Sequence, residues 1–135
     1  MTDYTMATTV DLPYEEAVAA TRAALADVGF GVLTEIDIRA TMKQKLDLDV
    51  PPQVILGVCR PQLAHQALTA APSVATLLPC NVVVRALDDG SSQVEAADPH
   101  AMLELAGPGV SDVATEAKSR LSTALSALAD AQPAH

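Results

Sequence analysis

From Tyr4 to Val10 the chain alternates loosely between threonine and apolar positions, the two-residue period of a strand. A helical period follows. Tyr14, Val18, Thr21, Leu25 and Val28 are spaced four and three apart in turn, which places them on one helical face. Pro13 opens this helix, Glu15 and Glu16 suit its first turn because the helix dipole favours acids there, and Gly29 is placed to end it. "GFGVLTEIDI" then resumes an extended pattern, with Phe30, Val32 and Ile36 expected on one face. The charged segment "RATMKQKLDLD" reads as a short helix stopped by "VPPQ".

The second half is more apolar. Val54 to Cys59 is apolar at successive positions, the mark of a strand buried on both faces in mid-sheet. Pro61 starts another helix, with Leu63, Ala64, Ala67, Leu68 and Ala71 on one face before Pro72. "CNVVVRAL", "DDG" and "SSQVEAAD" read as strand, turn and returning strand. "PHAMLELAGPG" is a helical turn or loop. From Ser111, an expected N-cap, a long helix runs to about Asp130 with Val113, Ala117, Leu121, Ala124 and Leu128 on one face.

This order predicts an α+β domain, a two-layer sandwich in which a mainly antiparallel sheet carries helices on one face and ends in a long C-terminal helix. One domain covers residues 1–135, with the core at about 4–130 and a frayed tail at 131–135; nothing repeats or thins into a linker. Strands such as "VILGVC" and "NVVV" are apolar on both sides, so the uncovered face calls for a second subunit or a ligand. A homodimer is the commoner solution.

Composition narrows the function. Half of the residues are apolar, but the aromatics are only Tyr4, Tyr14 and Phe30, so few rings are present to stack a base, flavin or sugar. The net charge is −9, and the basic residues Arg22, Arg39, Lys43, Lys45, Arg60, Arg85, Lys118 and Arg120 are scattered, which argues against nucleic acid. Pro61 to Val84 lacks charged residues, but Pro61, Pro72, Pro79, His65, Gln66 and Asn81 interrupt it; no membrane span is expected. "MTDYTMATTV" has no basic run followed by an apolar stretch, so a cytoplasmic protein with reduced cysteines is expected.

Several of these segments together are familiar. "GFGVLTEIDI", "ILGVCRPQLAHQAL", "LLPCNVVV" and "DPHAML" occur in the order in which they stand in the bacterial family called domain of unknown function 302, which the chain resembles from about Tyr4 to Leu128. The resemblance implies a compact α+β homodimer and supplies no catalytic residues to carry over. It does pick out positions: Gly57, Cys59, Pro61, Ala64 and His65 in one motif, Pro79, Cys80 and Asn81 in another, Asp98 and Pro99 in the third.

Chemistry, if present, centres on "GVCRPQLAHQAL". Cys59 ends a strand just before a helix N-terminus with Arg60 adjacent, and both the dipole and the cation favour a thiolate. Against this, free cysteine commonly fills a small apolar site. If the strands at Cys59 and Cys80 are antiparallel neighbours, both thiols lie at one end of the sheet, and the register decides whether they share a face. His65 lies roughly 130° from the centre of its helix's apolar face at about 100° per residue, so it points to solvent or lines an opening.

Cys59, Cys80, His65 and His100 are ligand types that suit zinc. No C-x-x-C or H-x-x-x-H pair holds two of them locally, so no metal or other cofactor is expected. Asp98 beside His100 would orient an imidazole, but Asp before Pro more commonly opens a turn or helix. No phosphate-binding glycine loop and no serine nucleophile elbow is present. The expectation is a non-catalytic homodimeric module that binds a small molecule, metal or protein partner near Cys59, Arg60, His65, Cys80 and Asn81. A redox protein using Cys59 with Cys80, and a purely structural dimer module, are the alternatives.

Overall fold

A computed structural model describes residues 2–131. Five strands, β1 (Thr5–Val10), β2 (Gly31–Asp37), β3 (Gln53–Cys59), β4 (Cys80–Ala86) and β5 (Ser92–Ala97), form one sheet in the order β1-β5-β4-β3-β2. Every neighbouring pair is antiparallel. The helices are α1 (Tyr14–Asp27), α2 (Ile38–Leu46), α3 (Pro61–Ala70), α4 (Pro99–Leu103) and α5 (Ser111–Ala129). This is the α+β arrangement that the hydrophobic pattern predicts. No described helix is long and apolar enough to cross a membrane.

Strand alternation builds the core. Val54, Leu56 and Val58 of β3, Val82 and Val84 of β4, Val94 and Ala96 of β5 and Val10 of β1 are buried on the face toward the helices. α5 supplies Val113, Ala117, Leu121, Ala124 and Leu128 to the core as its spacing predicts, joined by Ala114 and Leu125. It packs against α1, α3, α4 and β1.

Three local expectations are corrected. In α1 the fully buried residues are Ala17, Thr21, Ala24 and Leu25, while Tyr14, Val18 and Val28 flank them half-buried. The buried line therefore runs through the small residues, which let α1 lie close to its neighbours; Thr21 Oγ1 satisfies itself by donating to Ala17 O at 2.7 Å. Ser111 is the first residue of α5, not its cap: a 3-10 turn at Pro108–Val110 runs straight into the helix, and the Ser111 hydroxyl donates back to Pro108 O at 2.9 Å.

The third correction concerns β2. Val32 stands opposite Val58, on the helix side, but the register slips between Val32 and Thr34, and Ile36 stands opposite Ile55 on the other face. The extra residue, Leu33, reverses the alternation, so Val32 and Ile36 do not share a face. Ile36 is 47% and Leu33 65% exposed.

The open face of the sheet is divided. Ile36, Ile55 and Val83 lie toward β2, whereas Arg85 Nη1 donates to Gln93 Oε1 (2.7 Å) and Glu95 Oε1 (2.8 Å), and Thr5 Oγ1 donates to Glu95 Oε2 (2.7 Å), toward β1. At the C-terminus, Ala131 N donates to Leu128 O at 3.0 Å and its side chain packs on the core. The rest of the expected frayed tail, 132–135, lies outside the described residues.

Candidate functional site

β3 and β4 pair so that Val58 faces Cys80 and Gly57 faces Asn81. Cys80 thus takes the helix side with Val58, Val82 and Val84, and Asn81 takes the opposite side, where it is exposed. Cys59, the last residue of β3, lies diagonally across from Cys80 and pairs with Gly31 of β2. Beyond it Arg60 turns the chain and Pro61 starts α3, as proline at the first helical position favours.

Both cysteines border one crevice between the end of the sheet, α3 and α5. Its lining includes Phe30, Val58, Leu63, Ala67, Leu78, Leu103, Val113 and Ala117, with Arg60 as the one charged member among the described residues. The enclosed space is small, about 30 Å³, and the crevice opens to solvent. Both cysteines are free.

The environment favours the protonated form of both thiols. Burial pushes the Cys59 thiol above its ordinary pKa. Cys80 is raised too, first by burial and then by the neighbouring Cys59. The thiolate-favouring environment expected from Arg60 is absent because the guanidinium turns toward α5: Arg60 Nε lies 3.6 Å from Glu116 Oε2.

The other sequence candidates stand elsewhere. His65 is exposed on α3, and Thr69 Oγ1 donates to its carbonyl at 2.8 Å. His100, exposed at the start of α4, has Nε2 3.4 Å from Thr115 Oγ1 and lines a separate hollow with Glu104 and Ser111. Asp98 Oδ1 accepts from His100 N at 2.8 Å and Asp98 Oδ2 accepts from Lys118 Nζ at 2.9 Å, so the carboxylate caps α4 and does not orient the imidazole. Burial alone would raise the Asp98 pKa, but the Lys118 ammonium and the His100 N–H outweigh it and hold the carboxyl below its ordinary range.

Among the described residues no three of His, Cys, Asp and Glu gather where an ion would bind. Cys59 and Cys80 border the same crevice, and neither His65 nor His100 lines it. What sequence reading missed is the crevice itself. Phe30, Leu78, Leu103 and Val113 arrive from four separate segments, so no local pattern announces it.

Comparison with known proteins agrees with this architecture. No curated protein matches the chain. A crystal structure of an uncharacterized conserved protein DUF302 from Bacillus stearothermophilus is similar, with 26% sequence identity, a TM-score of 0.85, and coverage of 94% of this chain and 99% of that one. The model of the family described as Domain of unknown function DUF302 matches residues 6–128. The motifs around Cys59, Cys80 and Asp98 and the antiparallel sheet that arranges them are therefore those of a DUF302 domain, and the chain belongs to that family.

Proposed function

We propose that this protein is a non-catalytic, homodimeric module that binds a small, largely apolar molecule in the crevice beside Cys59 and Cys80. The observation that carries the reading is the crevice's composition: aliphatic and aromatic groups line it beside two cysteines, whose protonated form burial favours. Protonated thiols are poor nucleophiles and poor redox groups but ordinary apolar wall. A concave apolar surface that few polar groups interrupt is the usual form of a small-molecule site. Two free thiols also suit a reducing compartment, which favours the cytoplasm.

Thiol labelling tests the binding. With iodoacetamide at pH 8, Cys59 and Cys80 in the native protein react several-fold more slowly than in urea, and hexan-1-ol slows them further in a saturable way. Fast labelling that the alcohol leaves unchanged would remove this reading. Rapid labelling together with a Cys59–Cys80 disulfide under mild oxidation would favour the redox alternative, which rests on the closeness of the two thiols. The raised thiol pKa values carry a linkage consequence as well. Their contribution to stability is full below the ordinary thiol pKa of 9.0 and is lost as pH rises through the higher folded values, because the unfolded chain ionises first.

The dimer rests on the open sheet face, where Ile36, Ile55 and Val83 give an apolar area beside the Arg85–Glu95 pair. Light scattering at micromolar concentration should give twice the mass of one chain. A monomer mass there would eliminate the dimer.

A further inference from the structure

Arg60 is the one charged group on the crevice among the described residues, and its hydrogen bonding is incomplete. Its Nε is buried and has no hydrogen-bond partner among the described residues. Glu116 Oε2 lies at 3.6 Å, beyond hydrogen-bond range. That same oxygen already accepts from Arg120 Nε at 3.0 Å. Arg120 is further committed through Nη1, which donates to Val28 O at 2.9 Å.

The two guanidinium groups also converge in space. Arg60 Nη1 fills the position that a side chain at Gly29 would need, and Arg120 Nη1 comes within 3.6 Å of the same point. Gly29 has a φ of +90°, so its lack of a side chain serves both the turn and the space for Arg60. Two cations therefore share one carboxylate oxygen at the mouth of an apolar crevice, which leaves a local positive excess in a chain of net charge −9.

We infer that the crevice takes a short amphiphilic carboxylate, its alkyl chain between Phe30, Leu63 and Leu78 and its carboxylate accepting from Arg60. This rests on the reading of the crevice as a small-molecule site. A planar monoanion matches the fork of a guanidinium. A dianionic phosphate would instead stand against Glu116, which remains beside Arg60. The enclosed 30 Å³ limits the deep part of the chain to a terminal carbon or two.

The test uses the full chain at pH 7 and follows thiol protection and amide chemical shifts with hexanoate, hexan-1-ol and acetate. Hexanoate should saturate the site at a concentration at least tenfold below hexan-1-ol, and acetate should not protect. Arg60→Gln should abolish the preference for hexanoate and leave hexan-1-ol unchanged. Glu116→Gln, which removes the competing carboxylate without touching the crevice wall, should tighten hexanoate several-fold. Equal binding of hexanoate and hexan-1-ol overturns the carboxylate inference while the apolar site stands; protection by neither overturns both. Hexanoate binding that is unchanged in both variants also overturns the role of Arg60, and the Glu116→Gln arm decides the matter if Arg60→Gln does not fold.

Discussion

Leu56→Ala is expected to lower the unfolding free energy by about 3 kcal/mol, the middle of the range for emptying a fully buried leucine site. Leu56 is 0% exposed and lies at the middle of β3, paired with Glu35 of β2 on one side and Val82 of β4 on the other. Its side chain faces the helices, and the hydrogen-bonded strands around it cannot collapse into the space it leaves. Domains of this size are stable by roughly 5–15 kcal/mol, so the loss is a large share of the total. Urea unfolding at pH 7 measures it, with Leu105→Ala as the control. Leu105 is 78% exposed, and its truncation should change stability by no more than about 0.5 kcal/mol. A loss below about 1 kcal/mol at Leu56 would mean that β3 does not sit in the core as described.

Gly57→Ala is expected to cost about 2 kcal/mol through overpacking, although glycine to alanine at an unstrained backbone position ordinarily stabilises. Gly57 is buried on the other face of β3, and a methyl group there would run into Thr34 Oγ1 and come within 2.8 Å of Pro79 Cγ. Thr34 is held by the register of β2, and the proline ring has little freedom to move aside. The cause is a clash with named neighbours, so it is separable: Thr34→Ala in the same chain should return part of the loss. Denaturation of the four variants gives the coupling, and strict additivity would exclude the contact with Thr34.

How far this molecule is legible in its sequence varies with the kind of signal. The long helix was written plainly, because Val113, Ala117, Leu121, Ala124 and Leu128 repeat at helical spacing and all are buried. The burial of β3 followed from an unbroken apolar run, and the placing of Cys59 and Cys80 at one end of the sheet followed from strand order, since antiparallel neighbours bring the end of one beside the start of the next. Ile36 was placed on the wrong face because a bulge leaves no mark that distinguishes Leu33 from its neighbours. The stripe of α1 was right in placing Thr21 and Leu25 inside with Tyr14, Val18 and Val28 against the core, but missed Ala17 and Ala24, because alanine carries a weak hydrophobic signal yet is favoured where helices approach closely.

The site was less legible than the fold. Adjacency in sequence suggested that Arg60 would activate Cys59, but adjacency does not fix the direction of a long side chain. Arg60 reaches Glu116, 56 positions later by the numbering of the ion pair, and that contact exists only in the folded chain. Asn81 and Cys80 are neighbours in the chain and lie on opposite faces of the sheet for the same alternating geometry that builds the core.

The slip at Leu33 has a further effect, since β2 is an outer strand of the sheet. A straight outer strand presents an evenly spaced row of backbone donors and acceptors on which another chain's strand can grow. With one residue out of phase between Val32 and Thr34, that row is broken in the middle, and an incoming strand that matches one half mismatches the other. The irregularity that confuses the sequence pattern thereby makes this side of the sheet a poor template for fibril-like stacking of chains.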